Sequence, residues 1–556
     1  MNLHDYLEQR RQDLFQELGI WIPHWRSIQE FISPRRGAFL QKNAKNKKVP
    51  RFSSIIDNTA TMASRNLAAG MQAGVTSPAR KWFALGLDDK DMAEFGENKV
   101  WLQAVSRLMY RIFAKSNFYE ATHVSYGNLG DFGNAGMLIF PDYQNVIHCH
   151  QLPIGSFAID INDKDKVDTV YRDIEMTVRN IVKQFGRKNL PRHIEDDYSR
   201  GNYMNRYTVR HAIEPNGEDF AEYKAIRRFP FASIFWVEGT IKEGFKPLRV
   251  SGFHEFPGMF PRWDLDGGDT YGTGPGSVAM GDTKQLQSEQ REKGKAIAKM
   301  VNPPLQAPTS MQNRVVTTLP GGVNYHNSQA SNNSDGVRPI YTVEPRLNEM
   351  REDIFEVQQR IKRGYYEDLF LMLTNDNRAQ PPSATEVVER HEEKLLMLGP
   401  VLERQNNELL DAIIDRAFAI AERAKILPPA PDDIRDRDIE VEYISILAQA
   451  QKAVGVNAIE STVAFVGNLA GVKPDIVDKL DLDQAVDEYA DMMGAPPSIV
   501  KSDDDVSEIR TDRASQEQAL AQSQMAQEAA KTAELLSKTD TTGDNALADV
   551  LAGGMV

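Results

Sequence analysis

The spacing of apolar positions changes twice along this chain. From Asn2 to about Phe118 it is helical. Asp5 to Leu18 is charged, with apolar residues three and four apart, and Ile22-Pro23 and Ser33-Pro34 are expected to break that helix. Asp57 to Ala73 predicts a helix of small residues that ends at Ser77-Pro78. Lys81-Trp-Phe-Ala-Leu85 follows as an apolar anchor, and Asn98 to Phe118 reads as another amphipathic helix. Between Glu120 and about Trp263 the period moves toward two. Strands are predicted at Ala135–Phe140, Val146–Leu152, Ser156–Ile161 and Phe231–Val237, and Val167–Phe185 starts extended and turns helical at Thr177. This block is a mixed α+β domain inserted between helical parts.

From Gly272 to Leu427 the helical period returns, and the rest of the chain is organised around it. A helix after Gly272-Thr-Gly-Pro-Gly276 places Lys284, Arg291, Lys295 and Lys299 on one face, with Leu286, Ile297 and Met300 opposite. The glycines read as a flexible turn that lets this helix start. A second helix, Leu347 to Leu373, sets Leu347, Met350, Ile354, Val357 and Ile361 at alternating steps of three and four, a seam for packing on another helix. The insert between them, from Asn302-Pro-Pro304 to Val343, predicts short strands and turns with little core of its own. Thr374 to Pro382 is a tight polar loop. Ser383 and Glu386 form a capping box for one long helix, kinked or restarted at Gly399-Pro400 and stopped at Pro428-Pro-Ala-Pro431. A short strand at Ile439–Tyr443 and helical pattern from Ser445 to about Met493 follow. Ala514 to Leu536, rich in Ala, Gln and Glu, can be helical but cannot build a core alone; it needs a partner copy or is partly disordered. Thr542 to Val556 reads as flexible.

The chain's 556 residues exceed one small core, so about two to four domains are expected. A hydrophobic fraction of 41% and a charged fraction of 26% are those of an ordinary globular protein. No apolar run approaches the roughly 18 residues of a membrane span, and the N-terminus has no signal-peptide pattern. Cys149 is the single cysteine, so no intrachain disulfide forms. The net charge of −14 argues against tight duplex binding over the whole surface, yet permits brief contact with DNA that must slide. The basic run Lys42, Lys45, Lys47, Lys48 and Arg51 reads as a solvated loop.

No catalytic constellation emerges. His148-Cys149-His150 could set two histidines on one face of a strand, but no second Cys/His group lies near them, and they read as ordinary strand residues. Gly272 to Gly276 lacks the Gly-Lys-Ser/Thr ending of a phosphate loop, and His123-Val-Ser-Tyr-Gly127 lacks the first glycine of a hydrolase elbow. The acidic clusters Asp196-Asp197, Asp432-Asp433 and Asp503-Asp-Asp505 fall in polar loops. Neither a cofactor nor a metal is expected.

Several stretches together resemble the head-to-tail connector, or portal, proteins of short-tailed phages. They are Asp57-Asn-Thr-Ala60 with Leu67-Ala-Ala-Gly70, Ser77-Pro-Ala-Arg-Lys-Trp-Phe83, Pro261-Arg-Trp263, Tyr271-Gly-Thr-Gly-Pro-Gly276 and Gly281-Asp-Thr-Lys-Gln-Leu286. The most specific are Ser383-Ala-Thr-Glu-Val387 and Leu398-Gly-Pro-Val-Leu-Glu-Arg404 with Glu408-Leu-Leu410. The likeness covers roughly Asp5 to Pro431.

The resemblance implies an α+β, mainly helical subunit of a dodecameric ring at one capsid vertex of the virion, assembled in the host cytoplasm. Its partners would be copies of itself, double-stranded DNA held without sequence specificity, the large terminase, tail or adaptor proteins, and capsid and scaffolding proteins, with no membrane. Carried onto this chain, residues 1–276 are the wing, 277–301 and 347–373 the two stem helices, and 302–346 the clip. Residues 374–382 are then the tunnel loop, 383–431 the long wing helix, 432–500 the crown and 501–556 a helical barrel or flexible tail. The residues expected to line the channel are Lys284, Arg291, Lys295, Lys299, Asn375, Asn377 and Arg378. One cation per chain becomes a belt around the axis, which meets phosphates without reading bases. Two other classes remain. An enzyme acting on nucleic acid would need clustered carboxylates or a phosphate loop, and a minor capsid or scaffold protein would lack an axial pore.

Overall fold

The computed structural model describes residues 3–37, 52–89, 92, 96–217, 226–240, 245–306, 317, 338–339, 346–372, 398–435, 437, 439–443, 459–469, 479–493, 500–501 and 503–537. They group into two compact units. One comprises residues 1–85, 103–430 and 439–454, the other 86–102, 431–438 and 455–556. The architecture is mixed α+β and mainly helical.

The chain opens with α1 (Leu3–Phe31), which runs through Pro23 instead of breaking there. Proline removes the amide that would pair with the Gly19 carbonyl. Leu14, Leu18, Trp25 and Ile28 are nevertheless all buried, on both sides of the proline, so packing outweighs the lost bond. Next come α2 (Thr59–Gly74), the strand β1 (Phe83–Leu87) and α3 (Gly96–Lys115). Trp82 and Phe83 are the expected anchor, packed against Phe113 and Phe118. The basic run from Lys42 to Arg51 lies outside the described residues.

After Glu120 the chain is helical, not extended: α4 spans Phe118–Phe132. Every residue from Ser125 to Phe132 is buried, so this half of the helix has no polar face to reveal its period. Two glycines inside it make room for neighbours. Gly127 lies under the Arg36 guanidinium and Gly130 under Leu67.

The strands β2 (Met137–Asp142) and β3 (Val146–Gln151) form a hairpin, with β9 (Gly258–Met259) on the other side of β2. A five-stranded antiparallel sheet runs in sequence order through β4 (Phe157–Ile161), β5 (Val167–Thr177), β6 (Arg206–Pro215), β7 (Phe231–Val237) and β8 (Arg249–Phe253). Against it pack α5 (Val178–Phe185) and α6 (Arg192–Ser199), with Val178, Ile181 and Ile194 on Val209, Phe235 and Val237. β6, β8 and α6 are additional to the strands and helices read from the sequence. β6 hides its alternation because it is buried while carrying Arg210, His211 and Glu214. His211 sits between Arg172 (2.9 Å) and Ser233 (3.0 Å), and burial, with Arg172 beside it, holds the imidazole neutral. α1 adds charged contacts to this sheet, Arg10 to Asp160, Arg11 to Asp173 and Glu8 to Arg210.

The glycine run from Gly272 to Gly276 is a packed segment, not a flexible turn. The Asn134 side chain bonds both the amide and the carbonyl of Gly272 at 2.8 Å. Gly133 adopts φ +74°, and a Cβ there would lie 2.5 Å from the Gly272 carbonyl. A Cβ at Gly274 would lie 2.5 Å from the Leu129 carbonyl, and one at Gly276 would strike Asp131. Only glycine lets this backbone lie against the end of α4.

From that seat rise α7 (Pro275–Val278) and α8 (Met280–Val301). Within the insert, β10 (Leu305–Gln306) pairs antiparallel with β11 (Arg338–Pro339), and most of 302–346 lies outside the described residues. The second long helix is shorter than its pattern: α9 (Leu347–Gly364) stops, and α10 (Glu367–Met372) starts after a turn. The break follows Tyr365, fully buried with its hydroxyl 3.4 Å from Asp131, and Tyr366 turns left-handed at φ 55°. Residues 398–405 are helical and lead through a π-turn, Asn406–Leu410, into α11 (Asp411–Arg423). The π-turn brings Glu408 to Arg262, which is 2% exposed: the Glu408 carboxylate accepts from the Arg262 amide at 2.9 Å and from Nη2 at 2.7 Å. Ile439–Tyr443 is the expected strand β12, its Tyr443 hydroxyl on Asp411.

The second unit holds helical residues 459–469, α12 (Leu482–Met493) and α13 (Asp503–Ser537), with Asp483 paired to Arg510 at 2.7 Å. α13 contains the Ala/Gln-rich stretch. Its described side chains from Ser507 to Lys531 are all exposed.

Candidate functional site

α8 and α9 pair as a hairpin. Arg360, near the end of α9, reaches Asp282 at the start of α8 at 3.1 Å, so the two run antiparallel. The heptad seam packs as its spacing requires, with Ile354, Val357 and Ile361 buried, and Leu286 of α8 is buried too. Burial stops partway along. No residue of α8 beyond Gln287 is buried, and none of α9 before Ile354. The outer half of α8 therefore leaves Ile297, Met300 and Val301 (75% exposed) open, and on α9 Phe355 (59% exposed) points out between the buried Ile354 and Val357.

The four cations lie on α8 as expected. Lys284, Arg291, Lys295 and Lys299 are all exposed, on the side away from Leu286. They are not equivalent. Lys284 stands 5.7 Å from the Phe31 ring centre at the end of α1, and its charge, after burial, helps to hold the nearby His24 below its usual range. Lys295 pairs with Glu292 at 2.7 Å, which draws the Glu292 carboxyl down. Arg291 and Lys299 complete the stripe. Along α8 five cations (Lys284, Arg291, Lys293, Lys295 and Lys299) face three carboxylates (Asp282, Glu289 and Glu292), in a chain whose net charge is −14. Asn375, Asn377 and Arg378 lie outside the described residues.

The base of the hairpin is held by a residue that charge and periodicity did not single out. Asp57 stands in the segment that leads into α2. Its Oδ1 accepts from the Thr59 amide (2.9 Å) and hydroxyl (2.5 Å). Its Oδ2 accepts from Gln290 of α8 (2.9 Å) and Gln358 of α9 (2.8 Å). Burial alone would raise this carboxyl, but the hydrogen bonds outweigh burial and hold it below the usual carboxylate range. Gln287, which is buried where Asp57 is only half-buried, donates to the Asp57 carbonyl at 2.8 Å and accepts from the amides of Ile56 (2.6 Å) and Asp57 (2.9 Å). The sequence signals were an Asp-x-Thr turn before a helix and two glutamines three apart, too common to single out.

A family model described as bacteriophage head to tail connecting protein matches residues 4–500. The "Probable portal protein" of Bordetella phage BPP-1 is 42% identical over 530 residues, covering 95% of this chain and 94% of that protein. The "Portal protein" of Salmonella phage epsilon15 is 41% identical over 526 residues, covering 94% of this chain and 93% of its own.

Proposed function

This chain belongs to the bacteriophage head to tail connecting protein family, and on that premise we propose how it does the work of a portal. It joins the phage head to the tail. Identical copies close into a dodecameric ring at one capsid vertex, and double-stranded DNA passes through the middle during packaging and ejection. Residues 277–301 and 347–373 form the stem, and 302–346 the clip that meets the terminase and later the tail proteins. Residues 1–276 and 383–431 form the wing, with 374–382 as a tunnel loop between stem and wing. Residues 432–500 form the crown, and 501–556 extend beyond it. The role is structural, and a separate motor supplies the energy for packaging.

The observation that carries this reading is the hairpin itself. Only its base sits in a core, its outer half offers apolar residues to neighbours, and one side bears a cation stripe in an acidic chain. Copies around an axis would cover the apolar positions and gather the cations into belts. Arg291, Lys295 and Lys299, with Asn375, Asn377 and Arg378 of the tunnel loop, would then face phosphates without reading bases. Lys284, drawn toward Phe31, would contribute less. Native mass measurement with imaging along the symmetry axis tests this. The expected result is a ring near twelve copies with a central hole; a monomer that persists at high concentration would defeat it.

A further inference from the structure

Rotational closure tolerates little angular error, because any misdirection in one subunit recurs at every interface. A subunit that meets its neighbours through both a core and a protruding hairpin must fix the angle between the two. In this chain that angle is set at the hairpin base, since the outer halves of α8 and α9 are not buried against the core.

We propose that Asp57 is the positioning residue that fixes the hairpin's direction and thereby the number of copies that close the ring. The proposal rests on the reading of α8 and α9 as the stem of that ring. One carboxylate ties three helices: Oδ1 holds the start of α2 through Thr59, and Oδ2 takes one amide from each stem helix, Gln290 and Gln358. The apolar contacts of Leu286, Ile354 and Val357 supply attraction without direction. Hydrogen bonds are directional, so they select one register among those the apolar seam would accept. The cost of slippage is raised by Gln287, 2% exposed, whose three bonds to Ile56 and Asp57 would be broken inside the protein. The Arg360–Asp282 pair joins α8 to α9 but does not reach α2, so it cannot fix the hairpin against the core.

The test compares the full-length protein with the double variant Gln290→Ala/Gln358→Ala and with Asp57→Ala, by native mass spectrometry and circular dichroism. The double variant keeps the Asp57–Thr59 turn and loses only the links to the stem. Wild type is expected to give one ring size. The double variant should keep the wild-type dichroism and a cooperative melt, at a somewhat lower temperature for the two lost bonds, yet spread over neighbouring ring sizes, and Asp57→Ala should spread further. A single wild-type ring size in the double variant overturns the proposal. So does complete loss of rings with dichroism unchanged, because the glutamines would then be needed for association itself. Should the double variant fail to fold, Gln358→Ala alone decides by the same readout. If wild type forms no ring, the stem reading fails instead, and the two failures are told apart.

Discussion

At the scale of single residues, the buried charges are the sharpest points of the structure. Arg262 is held by Glu408 and by the Asp165 carbonyl at 2.7 Å. Glu408→Ala leaves that guanidinium buried without its counter-charge, and the expected loss is about 3–5 kcal/mol, read from chemical denaturation. Changing Arg262 and Glu408 together to apolar residues of similar volume should recover much of it, because no uncompensated charge then remains. Asp197 makes the pH prediction. Hydrogen bonds donated by Asn205, Tyr207 and Asn202 draw its carboxyl down to about 2, against about 3.9 in an unfolded chain. A carboxyl depressed by folding stabilises the fold above its unfolded value, and that contribution disappears as pH falls toward the folded value. Order in Asn202–Tyr207 should therefore be intact above about pH 4 and fade toward pH 2. Hydrogen exchange across this turn checks the expectation, and Asp197→Asn should make it insensitive to pH in that window.

At the scale of elements, the glycines separate two situations that a sequence leaves looking alike. Gly19 lies within α1, where a Cβ would meet nothing within 4 Å, whereas one at Gly276 would collide with the Asp131 backbone. Gly19→Ala should stabilise the protein by about 0.5–1 kcal/mol through helix propensity and a less flexible unfolded chain. Gly276→Ala should destabilise it by at least about 1–3 kcal/mol through overpacking, and paired thermal melts would show the opposite signs. The same contrast marks what was legible in advance. β3 and the seam of α9 alternate or repeat cleanly, β2, β4 and β7 are short apolar runs, and each formed near its predicted place. α4 escaped because burial all round its second half erased its period there, and the tight packing of Gly272–Gly276 escaped because its partner is that same helix. α1 crossed Pro23 because it is buried on both sides of the proline, with Trp25 against Tyr271 far away in sequence. The cation stripe on α8 could be read from spacing alone. The Asp57 clasp could not, since it joins residues more than two hundred positions apart.

At the scale of the whole molecule, charge governs how copies meet one another and how they meet DNA. Each chain carries −14, so copies brought together repel, while the outward side of α8 is locally positive. Surface repulsion is screened over about 10 Å at 0.1 M salt, so ring formation should become more favourable between low and moderate ionic strength, as followed by light scattering. DNA retention should respond the opposite way, because contacts between cations and phosphates weaken as salt competes for the phosphates. Reversing Arg291, Lys295 and Lys299 together to Glu separates the two effects. If these side chains face the lumen, the rings should assemble with unchanged mass, and virions carrying them should hold or package less DNA, whatever its sequence. If the rings fail to form instead, the stripe belongs to a contact between subunits, and the apolar positions on the other side of α8, Ile297 and Met300, become the candidates for the face nearest the axis.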